Sequence, residues 1–516
     1  MKNTILAIDN GTQSVRALLF DLDGQLLAKS QVEIQPYYST QPGWAEQDPA
    51  YFWQQLCVAC QRLWQMEGVD PTIISAVALT TQRSTVINVD GNGSPLRPAM
   101  VWLDQRHLEK VDPLKGPWRY LIKAAGGEET LNYYRAQAEC NWIARYQPNI
   151  WKATSRYLLL SGYLTYMLCG EFADSKASQV GYLPFDYKHH RWCNNHDWRW
   201  KALAVKRSQL PQLFTPGTPI GQITTQASQA TGIPEGLPLI AAGSDKACEV
   251  IGSGALTPDT GSISYGTTAT FNVTSPRYIE AIPMLPPYPA AIPKHYSTEV
   301  IVHRGYWMVN WFKREFAEAE MSQARETGVA VESLFERFLN DVPAGSMGLT
   351  LQPYWSPGLR VPGPEAKGAI IGFGDVHTKA HLYRAIIEGI AYALRDGKER
   401  VEKRLGKPIE TLMVSGGGSQ SDAVMQITAD IFGLEAQRPH TFETSGLGAA
   451  INAAVGCGYY KNHRQAITAM THPGQRFSPQ EHNKTLYSRL FNEVYSNMYD
   501  QLKPLYSAIR RIVGYP

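Results

Sequence analysis

The chain reads as an α/β protein of two similar lobes facing a central cleft, and three observations predict it. A short apolar strand breaks at a Gly/hydroxyl turn and doubles back near the N-terminus, and the same plan begins again at about residue 261. After each hairpin, apolar runs of strand length alternate with helical periodicity. The 516 residues, 44% apolar and 18% charged, fit a folded chain with room for more than one core. A plan that recurs at equivalent places is the mark of an internal repeat.

The first strand, 4–8, ends at Asp9-Asn10-Gly11-Thr12-Gln13-Ser14, and a second, 15–21, leads through Asp23-Gly24 into a third at 25–28. Helical patterns follow at about 49–67 and 107–124, and 73–79 reads as a buried strand running into Thr80-Thr81-Gln82-Arg83. Residues 157–168 read as a helix and 186–200 as an aromatic, polar loop. An apolar strand at 237–242 ends in Gly243-Ser244-Asp245, followed by a small-residue helix to Gly252. The second hairpin runs from Gly261 through Tyr265-Gly266-Thr267-Thr268 to Val273, and the proline-rich 283–293 is a connection. Thr378 suits the N-cap of a long helix reaching about Arg404. A strand at 412–414 enters Ser415-Gly416-Gly417-Gly418, and 422–432 and 447–455 are helical. The boundary falls near 253–260, giving lobes 1–253 and 254–516, the second ending in a helical tail at 461–516.

Forty-nine Lys and Arg against 46 Asp and Glu leave a net charge of +3, no field for capturing nucleic acid or an anionic membrane. The apolar run at 4–8 is too short for a signal peptide, and the longest oily stretch, 157–169, falls short of the ~20 residues a membrane helix needs. Seven scattered cysteines, an odd number, read as reduced thiols of a cytoplasmic protein; Cys57 and Cys60 lie in an apolar helical pattern that places them in a core. The expected partner is a small molecule, and a homodimer is the assembly left open.

The first turn suits an anion: Gly11 lets backbone N–H groups turn toward a ligand, and Thr12 and Ser14 add hydroxyls. Asp9 is placed for Mg²⁺, directly or through water, and Arg16 for a phosphoryl oxygen. Gly266, Thr267 and Thr268 repeat that chemistry, and Gly416, Gly417 and Gly418 could lie flat against a nucleotide. Asp245, after a buried strand, could accept the proton of an attacking hydroxyl, or simply cap a helix. No G-x-x-x-x-G-K-[ST], G-x-S-x-G or H-E-x-x-H occurs. His189, His190, Cys193 and His196 cluster without a zinc spacing, and His377 and His381 lack a third ligand.

Taken in order, Ile8 to Ser14, Gly43-Trp44-Ala45-Glu46-Gln47-Asp48-Pro49, Gly243-Ser244-Asp245, Tyr265 to Thr268, and Gly416 to Ser419 with Gln426, Ala429 and Asp430 resemble the FGGY family of carbohydrate kinases. The stretch from His377 through Glu388-Gly389 to Asp396 is similar to that family's second signature, and the likeness covers about 4–460. It implies the two-lobed, ribonuclease H-like fold of actin and hexokinase, with ATP and Mg²⁺ as cofactors. It also implies roles. Asp9, Gly11, Thr12, Gln13, Ser14 and Arg16 would form the first phosphate site, Gly266 and Thr267 the second. Gly416 to Gly418 would flank adenosine, Asp245 would be the general base, and closure of the lobes would align the reaction.

Around the acceptor the likeness departs. Thr81 to Thr85 and Val101 to Arg106 look more like glycerol kinases than xylulokinases, yet Ser84 stands where glycerol kinases have Glu, and Lys246 where they have Gln. Arg83, Ser84, Trp102, Tyr134, Asp245 and Lys246 are thus expected to meet a small polyol or ketose other than simple glycerol, with a sugar acid compatible with Arg83 and Lys246. Glycerol kinase proper and a non-catalytic nucleotide-binding relative are the competing readings.

Overall fold

A computed structural model describes residues 3–514 apart from 115, 125, 284, 359 and 360. The chain divides into two compact units. The first comprises Met1–Gly252, Tyr288–His295 and Glu443–Thr471; the second Ser253–Pro287, Tyr296–Phe442 and His472–Pro516. Two segments from far along the sequence therefore complete the first unit.

In the first unit, strand Thr4–Asn10 is buried along its whole length, which is why it reads as an unbroken apolar run and not an alternating one. It is antiparallel to Ser14–Phe20 and parallel to Ile74–Thr81, in a sheet ordered Pro219–Gln222, Pro238–Ile240, Ile74–Thr81, Thr4–Asn10, Ser14–Phe20, Leu26–Glu33. At the edge, Leu26–Glu33 exposes alternate residues. Helix Pro49–Trp64 starts at Asp48, whose carboxylate accepts from Ala50 N (2.9 Å), and it turns Phe52, Leu56, Cys60 and Leu63 inward.

Helix Thr444–Gly456 packs against Thr4–Asn10, Ile74–Thr81 and helix Asp245–Gly252. Its buried residues include Gly446, Gly448, Ala449, Ala450, Ala453 and Ala454 beside Leu447 and Ile451. Glycine is required where it crosses helix Asp245–Gly252, because a Cβ on Gly448 would fall 2.7 Å from Cys248 Cα, and one on Gly252 would fall 2.8 Å from Gly448 N.

A smaller sheet of Glu46–Gln47, Ala99–Met100, Val86–Val89 and Arg156–Leu159 carries an aromatic core that includes Trp142, Tyr157 and Phe185. Buried Arg106 lies against the rings of Trp44 (4.1 Å) and Trp142 (4.7 Å) and pairs with Glu46 (2.8 Å) and Asp104 (2.6 Å). Three expectations are corrected in this region. Helix occupies only Trp118–Ala124 of 107–124, because Pro113 and Gly116-Pro117 interrupt the pattern. Residues 157–168 begin as a strand, Arg156–Leu159, captured by pairing with Val86–Val89, before helix Leu160–Cys169. The loop 186–200 contains the short pair Phe185–Asp186 and Arg191–Trp192 and one turn of helix from Arg199.

The second unit repeats the plan. Its sheet runs Tyr296–Val302, Ala269–Ser275, Thr260–Tyr265, Thr411–Ser415, Glu435–Pro439, Pro473–Phe477, with Thr260–Tyr265 antiparallel to Ala269–Ser275 and parallel to Thr411–Ser415. Helix Lys379–Leu405 begins after Thr378, as its sequence predicts, and lies across the core with Asp422–Phe432. Inside it, Glu388 accepts hydrogen bonds from Arg384 Nε (2.7 Å), Tyr487 OH (2.6 Å), Gly345 N (3.0 Å) and Ser346 Oγ (2.9 Å). Among the described residues, no helix is long and apolar enough to cross a membrane. The mixed α/β build with two sheet-centred units is the predicted fold class.

Candidate active site

Three neighbouring parallel strands of the first unit end together, and Asp9 and Asp245, two of the predicted residues, sit at those ends. Asp9 and Asn10 close Thr4–Asn10, and Gln82 follows Ile74–Thr81. Ser244 and Asp245 follow Pro238–Ile240, with Thr81 bridged to Ser244 in parallel. Gln82 N donates to the Asn10 carbonyl (2.9 Å) and Thr80 Oγ1 to the Gly243 carbonyl (2.9 Å), so the three ends are bonded to one another. The carboxyl ends of adjacent strands are where open α/β sheets carry their chemistry.

The first turn is closed by Gly11 N donating to the Ser14 carbonyl (3.0 Å), and Gln13 contributes its carbonyl to Ile34 N (2.9 Å). Trp102 Nε1 donates to Thr12 Oγ1 (3.0 Å), whose hydroxyl turns toward Gln82 Oε1 (3.4 Å). Arg16 reaches both Asp9 (3.4 Å) and Glu443 (3.3 Å), and Glu443 also takes Lys29 (2.5 Å). Burial pushes the Asp9 carboxyl up to about 7 against the pull of Arg16, with Asp245, Glu443 and Glu249 adding repulsion. Asp9 Oδ1, both side-chain atoms of Asn10, Arg16 Nε and Gln82 Nε2 are buried without hydrogen-bond partners among the described residues. Orphaned polar atoms so closely gathered mark a place that a polar or charged group fills.

Asp245 is the first residue of helix Asp245–Gly252, and Ser244 takes the capping position, its carbonyl accepting from Cys248 N (2.9 Å). The Asp245 carboxylate is therefore free of the capping duty it could have had. It accepts from Lys246 N (2.7 Å), and burial raises its pKa while Arg83 and then Lys246 lower it. Lys246 Nζ pairs with Glu249 (2.6 Å); burial works against that cation, but Glu249 and Asp245 outweigh it and hold the lysine above its ordinary range. The Arg83 guanidinium lies over the Tyr288 ring (5.2 Å). Ser84 has a positive φ of 56° and donates Oγ to the Val180 carbonyl (3.1 Å). Tyr134 gives its hydroxyl to the Leu183 carbonyl (2.9 Å) and packs edge-on to Tyr182 and Trp198.

In the second unit, Gly266 and Thr267 follow Thr260–Tyr265, and Gly416 follows its parallel neighbour Thr411–Ser415, Ser264 facing Ser415 in register. The Gly266 carbonyl accepts from Tyr306 N (3.0 Å) and that of Thr267 from Trp307 N (3.3 Å). Gly416, at φ 83°, leaves no room for a Cβ beside Tyr265, whose backbone N would be 2.9 Å away, and a Cβ on Gly418 would strike the Tyr306 ring. Only at Gly417 would an added Cβ meet nothing within 4 Å, so of the three glycines it alone presents bare backbone to open space.

Residues 4–252 match the N-terminal domain of the FGGY family of carbohydrate kinases, and residues 261–457 match its C-terminal domain. The chain belongs to that family. An uncharacterized sugar kinase of Escherichia coli is 29% identical over 96% of this chain and 93% of its own length. A xylulose kinase of Staphylococcus epidermidis is 28% identical over 98% of both chains. The structure of a xylulose kinase from Rhodospirillum rubrum superimposes with a TM-score of 0.79 at 24% identity, covering 98% of this chain and 100% of that one. An FGGY carbohydrate kinase is a phosphotransferase, and ATP use is implied by the family.

The residues fit what such an enzyme handles. The unpartnered atoms around Asp9 suit a hydrated cation and phosphoryl oxygens, and a lone carboxylate completed by phosphates and water is how Mg²⁺ is commonly held. Sequence reasoning missed Glu443, Gln82, Glu249 and Tyr288. Gln82 lay within a stretch already singled out, and Glu249 one turn along from Asp245. Glu443 and Tyr288 carry no local signal.

Proposed function

We propose that this FGGY kinase transfers the γ-phosphoryl group of ATP, with Mg²⁺, to a hydroxyl of a neutral ketose or polyol larger than glycerol. The observation that carries the reading is the Lys246–Glu249 pair beside Asp245. Glu249 offsets the cation that would otherwise favour a sugar acid, while Arg83 and then Lys246 still act on Asp245. Ser84, its hydroxyl engaged by Val180, replaces an acid that would grip a three-carbon polyol. The name xylulose kinase on a relative spanning the whole chain supports a ketose.

Mg-ATP supplies the phosphoryl group and part of its charge compensation. Asp245 takes the proton of the attacking hydroxyl, and Arg83, held by Tyr288, orients the acceptor. Asp9 would hold the cation, directly or through water, Arg16 would serve the γ-phosphoryl oxygens, and Gly11, Thr12, Gln13 and Ser14 would supply the first phosphate turn. Gly266 and Thr267 supply the second, and Gly417 meets the nucleotide with Gly416 and Gly418 holding its backbone in place. Trp102 and Tyr134 wall the acceptor. Free cysteines, all but Cys457 buried, suit a reducing cytoplasmic setting.

ADP release with glycerol, erythritol, pentuloses, hexuloses and sugar acids tests the acceptor: a ketulose is expected to give the highest kcat/KM. Glycerol or a sugar acid as best substrate would overturn the assignment. Asp245→Asn is expected to lower kcat by about 10²-fold or more. Turnover retained within about tenfold would remove Asp245 from the base's role.

A further inference from the structure

The first unit has a cleft of ≈ 330 Å³ that shares no lining residue with the acceptor set. Its walls are the coil at 108–112, the end of helix Glu128–Gln137, helix Glu139–Tyr146, and the turn Arg199–Ala202 with the residues after it. Asn141 ties these walls together. Its Nδ2 donates to the carbonyls of Arg135 (2.9 Å) and Ala202 (3.0 Å), and its Oδ1 accepts from Ala204 N (2.7 Å). Leu108 N, bonded to the Ala136 carbonyl (2.9 Å), fixes the coil. The frame thus stands without a ligand.

Four cationic side chains line it, Lys110, Arg135, Arg145 and Lys201, against the single carboxylate of Asp112. Such a gathering is not compositional, since the entire chain carries only +3. Arg135 spends Nη1 on the Asp112 carbonyl (2.5 Å) and keeps Nε buried without a partner among the described residues. Arg145 meets the Asp112 carboxylate at 3.5 Å with both groups exposed, a pairing that a better anion displaces at little cost. Neither Lys110 nor Lys201 has an ion-pair partner among the described residues.

We propose that this cleft binds a small phosphate ester, a sugar-sized metabolite whose dianionic group is held by Arg135, Arg145 and Lys201. One carboxylate would not balance four cations, and guanidinium forks match phosphate oxygens. The volume lies at the lower end of small-molecule sites, about 300–1,000 Å³. Arg135 adjoins Tyr134 on helix Glu128–Gln137, so an occupied cleft restrains the helix that carries the proposed acceptor wall. Binding itself is independent of the phosphoryl-transfer reading; only this coupling rests on it.

Calorimetric titration of the intact protein with ribose 5-phosphate, with ribose and with inorganic phosphate tests the site. Ribose 5-phosphate is expected to bind to wild type and to Asp245→Asn alike, and ribose not at all. The surface double variant Arg145→Gln/Lys201→Gln is expected to bind the ester at least about tenfold more weakly, two charge-assisted contacts having been removed. Equal affinity in wild type and the double variant, absence of binding, or binding lost in Asp245→Asn overturns the proposal. Inorganic phosphate binding as tightly as the ester would overturn the ester assignment and leave free phosphate as the ligand.

Discussion

Gly448 lies where helix Thr444–Gly456 crosses helix Asp245–Gly252, and its replacement by alanine is expected to reach Asp245 without touching it. The new methyl would strike the Cys248 carbonyl oxygen and sit 2.7 Å from Cys248 Cα, whereas unbonded carbons settle at about 3.5–4.0 Å, so the two helices must part by at least about 1 Å. The obstacle is backbone, so no side chain can rotate away. Cys248 is three residues beyond Asp245 on a helix of eight, which moves as one piece. A misplacement of that size costs about 10² in turnover, and overpacking about 1–3 kcal/mol in stability. Steady-state ADP release with the best acceptor, alongside thermal unfolding, measures both. Gly91→Ala, whose Cβ meets nothing within 4 Å, is the control expected to behave as wild type. If Gly448→Ala turns over within about threefold of wild type at an unchanged midpoint, the helix crossing does not set the position of Asp245.

Trp102→Phe deletes the hydrogen bond to Thr12 (3.0 Å) and is expected to raise the KM for ATP by about 2- to 10-fold with little change in melting temperature. Glu388→Gln leaves the buried Arg384 cation uncompensated and is expected to cost on the order of 3–5 kcal/mol in chemical unfolding, whereas an apolar replacement of both partners recovers much of that loss. Buried His463, bonded to Asn452 (3.0 Å), is held down to about 4 by burial, with His295 adding to the effect. The unfolded chain binds that proton near pH 6.5 and the folded chain only near 4, so the stability it contributes is present above that window and lost as pH falls through it. His463→Gln is expected to lose less of its melting temperature than wild type between pH 7 and 5; parallel curves would refute this.

The parts of the site that were legible are those whose chemistry is local. A strand that breaks at Asp9-Asn10-Gly11-Thr12 and resumes at Ser14 announces its turn through glycine and hydroxyls, and Gly266-Thr267-Thr268 does so again. Helix Lys379–Leu405 was legible because its periodicity is long and its cap lies next to it. Arg16 and Glu443, by contrast, are 427 residues apart, and nothing near either names the other. Tyr288 lies in a proline-rich connection, and only the return of that segment to the first unit sets its ring on Arg83. The apolar run at 157–159 reads as helix because it continues into one, and pairing with Val86–Val89 makes it strand. Nothing near Lys246 in the sequence identifies Glu249 as its partner, since periodicity does not say which acid a cation will meet.

The first unit's dependence on helix Thr444–Gly456 also sets a schedule for synthesis. A ribosome that has finished Gly252 has made that unit's six-stranded sheet but none of the helix that covers Thr4–Asn10 and Ile74–Thr81. That face of the nascent chain stays uncovered while the whole interval to Glu443 is translated. At about 5–20 residues per second this exposure lasts on the order of ten seconds or more. A fragment ending at Gly252 is therefore expected to aggregate where the full-length protein does not, as light scattering would measure.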